Sequence, residues 1–176
     1  MGLWVDVYRL PTDWAVDLLT GRRWFDDLER TPLHPAYPPA AWDGLSAPPR
    51  VVSFWKGYEA ALVLLGGVEY VSSEPDDNLW DAWTGEVADP AAWAAVGARR
   101  SGVVLVDAPL RYSMPVEAGA AATAIDAIHP DELSRRTAAL PAPVRDPDRA
   151  VRLVRTMSSF LQTAASDGDI VVHWLH

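Results

Sequence analysis

Ser53 and Lys56 stand three residues apart at what reads as the start of a helix. A serine with a lysine one turn on can act as a nucleophile, as in penicillin-recognising enzymes. Those enzymes also use a Lys-Thr-Gly strand and a Ser-Asp-Asn loop. Lys56 is the only lysine here and no Ser-Asp-Asn occurs, so Ser53 is expected to be the N-cap of a helix over 54–65. His173 and His176 offer a second pair, of metal-ligating type. Residues i and i+3 of a strand point to opposite sides, so one ion does not reach both. Asp76-Asp77-Asn78-Leu79-Trp80-Asp81 starts like a calcium loop. It fails because Trp80 takes the fifth place, where an oxygen ligand is needed, and Asp81 the sixth, where glycine makes the turn. No metal and no cofactor are expected, and there is no G-x-S-x-G, H-E-x-x-H, phosphate loop or G-x-G-x-x-G. The chain has no cysteine, which excludes disulfides, thiolate ligands and a thiol nucleophile.

Two chemistries survive this screen. The first is paired carboxylates in a cleft, suited to a small-molecule or glycan hydrolase. Asp76, Asp77, Asp107 and Tyr112 are its candidate acids and bases, with a proline-rich segment as roof. The second is recognition without catalysis, and the composition favours it. Net charge is −9 and pI near 4.7. That argues against nucleic acid and anionic membrane surfaces, whose ligands need a basic footprint. Residues 1–88 carry 14 acids and 6 bases, whereas residues 89–176 carry 10 acids and 9 bases. Between Glu69 and Asp89, seven acids meet no base. Two tryptophans, Trp80 and Trp83, fall inside that stretch. Charge would steer a basic protein partner to it and the rings would anchor the contact. The candidate binding residues are Trp42, Asp76, Asp77, Trp80, Asp81 and Trp83, although large aromatics are more often folded back onto the body.

The elements that must position these residues follow from periodicity and punctuation. Leu3–Leu10 alternates as a strand, and Thr12 would cap a short helix to Leu19. Residues 22–50 hold six prolines and Trp24, Phe25, Tyr37 and Trp42, and read as an irregular segment pinned by its aromatics. A helix closes at Gly66-Gly67, Val68–Val71 reads as a short strand, and 72–88 as an acidic loop. Asp89-Pro90 starts a helix to about Arg99. Gly102–Asp107 reads as a buried strand, Ala108–Gly119 as a loop, and Ala122–Ile128 as a strand. Pro130 opens a helix through Leu140. A long helix over Asp148–Ala165, an Asp167-Gly168 turn and a strand over Ile170–Leu175 close the chain. One α/β (α+β) domain over 1–176, with helices packed on a mixed sheet, is expected. The chain shows no run of 18 apolar residues and no basic leader before an apolar core, so a cytoplasmic setting is expected. Abundant alanine, proline and arginine suggest a high-GC bacterial origin.

Four blocks resemble YfbM-like proteins, an uncharacterised bacterial family. They are Met1-Gly2 with the strand reaching Tyr8-Arg9, Phe54-Trp55-Lys56-Gly57-Tyr58 with Ala61–Gly66, Ala124–Leu133, and Phe160–Leu175. His129 stands where that family has a serine cap. The proline-rich and acidic segments have no counterpart in it. The resemblance implies an α/β fold and no catalytic residues. The combined expectation is a cytosolic, non-catalytic binding or adaptor protein, immunity-like towards a basic partner, with the hydrolase as alternative.

Overall fold

The strand that closes the chain lies at the centre of the sheet. In the computed structural model, which describes residues 5–22, 51–54, 58–67, 83–105, 108–142 and 145–175, five strands pair edge to edge. They are β2 (Val51–Ser53), β1 (Val5–Leu10), β5 (Ile170–Leu175), β4 (Ala108–Ser113) and β3 (Arg99–Leu105). β5 is hydrogen-bonded on both sides, to β1 from Val5↔Leu175 to Leu10↔Ile170 and to β4 from Arg111↔His173 to Ser113↔Val171. All four pairings are antiparallel. The mixed sheet expected from sequence is therefore antiparallel among the described strands, because the helices connect strands without a parallel crossover between neighbours.

Among the described residues six helices accompany the sheet: α1 (Thr12–Leu19), α2 (Tyr58–Gly66), α3 (Pro90–Val96), α4 (Pro115–Asp126), α5 (Pro130–Ala139) and α6 (Pro147–Asp167). One sheet face, with Val5, Val7, Val171 and Leu175, packs on α2, α3, α4 and α6 through Leu62, Leu65, Ala95, Ile125, Phe160 and Leu161. The other face, with Tyr8, Leu10, Leu110, Ile170 and Val172, packs on Ala15 and Leu18 of α1. Both faces of β1 and β5 are thus buried, which is why these strands carry near-continuous apolar runs. Among the described residues no helix is long and apolar enough to cross a membrane.

Local chemistry sets the boundaries. Asp89 Oδ1 accepts from Ala91 N at 2.9 Å, with Pro90 opening α3 as the Asp-Pro signal predicts. Asp146 Oδ1 accepts from Arg149 N at 3.1 Å and Gly168, at φ 74°, ends α6 in the left-handed region. Arg9, on β1, then clamps the turn that follows. Its guanidinium lies 2.7 Å from Asp167 Oδ2 and 3.6 Å from Asp169 Oδ2.

Several expected elements differ. Ser53 lies in β2, a strand rather than a helix start, and the described helix spans Tyr58–Gly66. The β-branched pair Val51-Val52 is drawn into the sheet opposite Tyr8 and Val7. Thr12 lies inside the first turn of α1 rather than before it, and its hydroxyl donates to Gly168 O. Residues 108–119 are not a loop but β4 and the start of α4. Pro109 is tolerated there because it faces an irregularity in β3, where no ladder donor is required. Residues 122–126 are helical, not a strand. Alanine costs no side-chain entropy in a helix, and the Ala118, Ala121 and Ala122 face, with Gly119 where an added Cβ would sit 3.4 Å from Ala165 Cβ, lets α4 approach α6 closely. The segment 23–50, the short strand at 68–71 and most of the acidic loop lie outside the described residues.

Candidate functional site

The described surface holds a cleft of about 640 Å³ at the β3 edge of the sheet. Residues 85–88 form one wall, residues 98–102 the other, and Pro109 and Arg111 the base. Its size suits a small-molecule group or a partner's side chain.

The backbone of β3 opens it. Arg100 pairs with Arg111 and Val104 with Pro109. Residues 101–103 on β3 therefore stand opposite Leu110 alone on β4. This bulge pushes 101–103 out of the ladder, a common device beside binding sites. A Cβ on Gly102 would meet nothing within 4 Å, so the backbone there is open to approach.

The opposite wall is held by hydrogen bonds from the body. Trp83 Nε1 donates to Pro109 O at 2.8 Å. Trp93 Nε1 donates to Val87 O at 2.6 Å. Arg111 donates through Nη1 to Trp83 O and Gly85 O at 2.7 and 2.9 Å, and through Nε and Nη2 to Val96 O and Gly97 O at 2.7 and 3.1 Å. One buried guanidinium thus ties the end of α3 and residues 83–85 to the sheet. Arg100 Nη1 donates to Thr84 O, carrying a second guanidinium from β3 to the facing wall. Arg99 is fixed at the rim, Nε to Glu117 Oε1 at 2.7 Å. The Glu117 carboxylate raises its pKa further.

Beneath this wall, His173 on β5 faces Arg111 across the strand pair. It is fully buried, with Nδ1 3.2 Å from Ala95 O and Nε2 without a partner among the described residues. Burial, and next the Arg111 charge, push its pKa down to about 3. The ring is neutral at physiological pH, so Nδ1 carries the proton that Ala95 O accepts. Gly97 presses on this pair. Its φ of 74° and ψ of 152° suit glycine alone, and a Cβ there would sit 2.9 Å from His173 Cδ2 and 3.3 Å from Arg111 Cβ.

The sequence-derived candidates do not assemble here. Trp83 was expected on a partner surface with Trp80 and Trp42. It is instead wholly buried in the main core, because its indole N–H finds a strand carbonyl and its ring fills the space between sheet and helices. Trp42, Asp76, Asp77, Trp80 and Asp81 lie outside the described residues, as do Lys56, Asp107 and His176. Tyr112 packs on the α1 side of the sheet, and its hydroxyl interacts with Arg99 rather than with a carboxylate of the cleft lining. Glu86 is the carboxylate on the cleft lining, and it is exposed. Glu132 is the described carboxylate with a resolved shift. Hydrogen bonds from Arg135, then Arg136, lower it to about 2 at the surface, the direction opposite to that of a general acid. Among the described residues no group of three His, Cys, Asp or Glu could hold a metal.

Sequence reasoning missed Arg111. One signal was present: an arginine alternating with Leu110 and Tyr112, in register with inward-facing residues. Reading 108–119 as a loop hid that alternation. No family model, curated protein or solved structure matches the chain.

Proposed function

We propose that this chain is a non-catalytic binding protein of YfbM-like kinship, which meets a basic protein partner through the acidic stretch between Glu69 and Asp89. One observation supports it most directly. The carboxy-terminal end of that stretch is anchored to the sheet by Trp83, Arg111 and Trp93, while Glu86 and Asp89 stay exposed. Acids displayed from a rigid base cost a partner less ordering entropy than acids on a free coil. Trp83 acts as the post that fixes the stretch, and the rings left for contact are Trp42 and Trp80. The hydrolase alternative requires convergent carboxylates with one raised pKa. The described cleft is lined by guanidiniums instead.

The test compares two triple variants against a lysine-rich peptide by calorimetry at low and moderate salt. Asp76→Asn/Asp77→Asn/Asp81→Asn is expected to weaken binding at least about tenfold, ~1.4 kcal/mol. Asp13→Asn/Asp131→Asn/Asp148→Asn, equal in charge change and placed on exposed helix starts elsewhere, is expected to leave it within about twofold. Equal losses in the two variants would reduce the effect to net charge and overturn the reading.

A further inference from the structure

We infer that the cleft at the β3 edge is an oxyanion site, taking a carboxylate or phosphate group on the side-on edge of Arg100. This goes beyond the acidic-surface reading and does not depend on it. Arg100 lines the cleft and commits Nη1 to Thr84 O. That bond fixes the guanidinium plane across the cleft, so little rotamer freedom remains to be lost on binding. Nε and Nη2 have no partner among the described residues. Their N–H bonds form the parallel fork that matches the two oxygens of a carboxylate or phosphate.

The surroundings complete the site. Ser101 and Gly102 lie beside Arg100 in the bulge, out of the β4 ladder, with open space above Gly102. Gly85 and Val87 opposite are held by Arg111 and Trp93, so the wall does not collapse when the cleft is empty. The net charge of −9 does not forbid an anion. Exposed charges farther than about 8 Å are largely screened at physiological salt. Within the lining, Arg99 is balanced by Glu117, and Arg100 and Arg111 stand against Glu86. Arg111 serves as the rigid base and Arg100 as the ligand-contacting group.

The test is a nuclear magnetic resonance titration of the full chain at constant ionic strength. Inorganic phosphate and acetate are added separately, with chloride as balance. The expected result is a saturable shift of the Arg100 Nε–H and Gly102 N–H signals with phosphate or acetate. The stronger of the two identifies the group preferred. Arg100→Gln, an exposed change on an edge strand, is expected to weaken that binding at least tenfold while signals from β5 stay in place. No saturable shift with either anion, or equal affinity in Arg100→Gln, overturns the inference. Loss of the peptide binding described above would not touch this result, because Arg100 lies outside the acidic triple.

Discussion

Gly97 and Gly168 have nearly the same φ, 74° in both, yet they do different work. Gly168 lies in the left-handed helical region with nothing within 4 Å of a would-be Cβ. Gly97 has an extended ψ that other residues avoid, and its would-be Cβ meets His173 and the Tyr112 backbone. Gly168→Ala is therefore expected to cost about 1 kcal/mol, the ordinary left-handed penalty. Gly97→Ala should cost roughly 3 kcal/mol or more, strain plus displacement of a packed ring. Urea unfolding of both variants checks the ranking; equal costs would mean that Gly97 does not press on the His173–Arg111 pair. The same contrast shows what was legible at this scale. Gly168 announced itself as a helix stop after Asp167. Gly97 gave no signal, because its constraint is a side chain 76 positions away.

At the scale of elements, the closing strand carries the architecture. β5 has β1 on one side and β4 on the other, and α6 delivers it there through the Gly168 turn clamped by Arg9. Ending the chain after Asp169 would remove the central strand and leave β1–β2 and β3–β4 as separate ribbons. Isolated two-stranded ribbons are marginal in water. The truncated chain is expected to lose cooperative thermal unfolding and the near-ultraviolet signal of its buried tryptophan. A sharp transition in the truncate would show that β5 is an accessory strand. The helix starts at Asp89-Pro90 and at Pro130 were readable because capping is local, whereas the last helix begins at Pro147, one residue before the expected Asp148. The α4 helix was misread as a strand because its evidence is the tight alanine seam against α6, which a single segment does not display.

For the molecule as a whole, acid should act through His173. Its folded pKa of about 3 lies below its ordinary value of 6.5. The unfolded chain therefore binds a proton below pH 6.5 that the folded chain refuses until about pH 3. Stability from this group is fully present above pH 6.5 and falls as pH drops from there to about 3, by about 1.4 kcal/mol per pH unit. His173→Gln keeps a donor for Ala95 O and removes the titration. Urea midpoints between pH 4 and 7 should fall less steeply in that variant than in the parent, and parallel curves would remove His173 as the cause.

By itself the sequence determined the class of the fold, the strands at its two ends and the helix starts, since hydrophobic period and capping act between residues a few positions apart. It also determined the acidity and the absence of thiol chemistry. Only the tertiary structure decided that Trp83 is a post inside the core, that Arg111 ties three segments together, and that the cleft beside them is walled by arginines. Those facts depend on which carbonyls from distant segments meet one buried donor, and no local pattern encodes such a meeting.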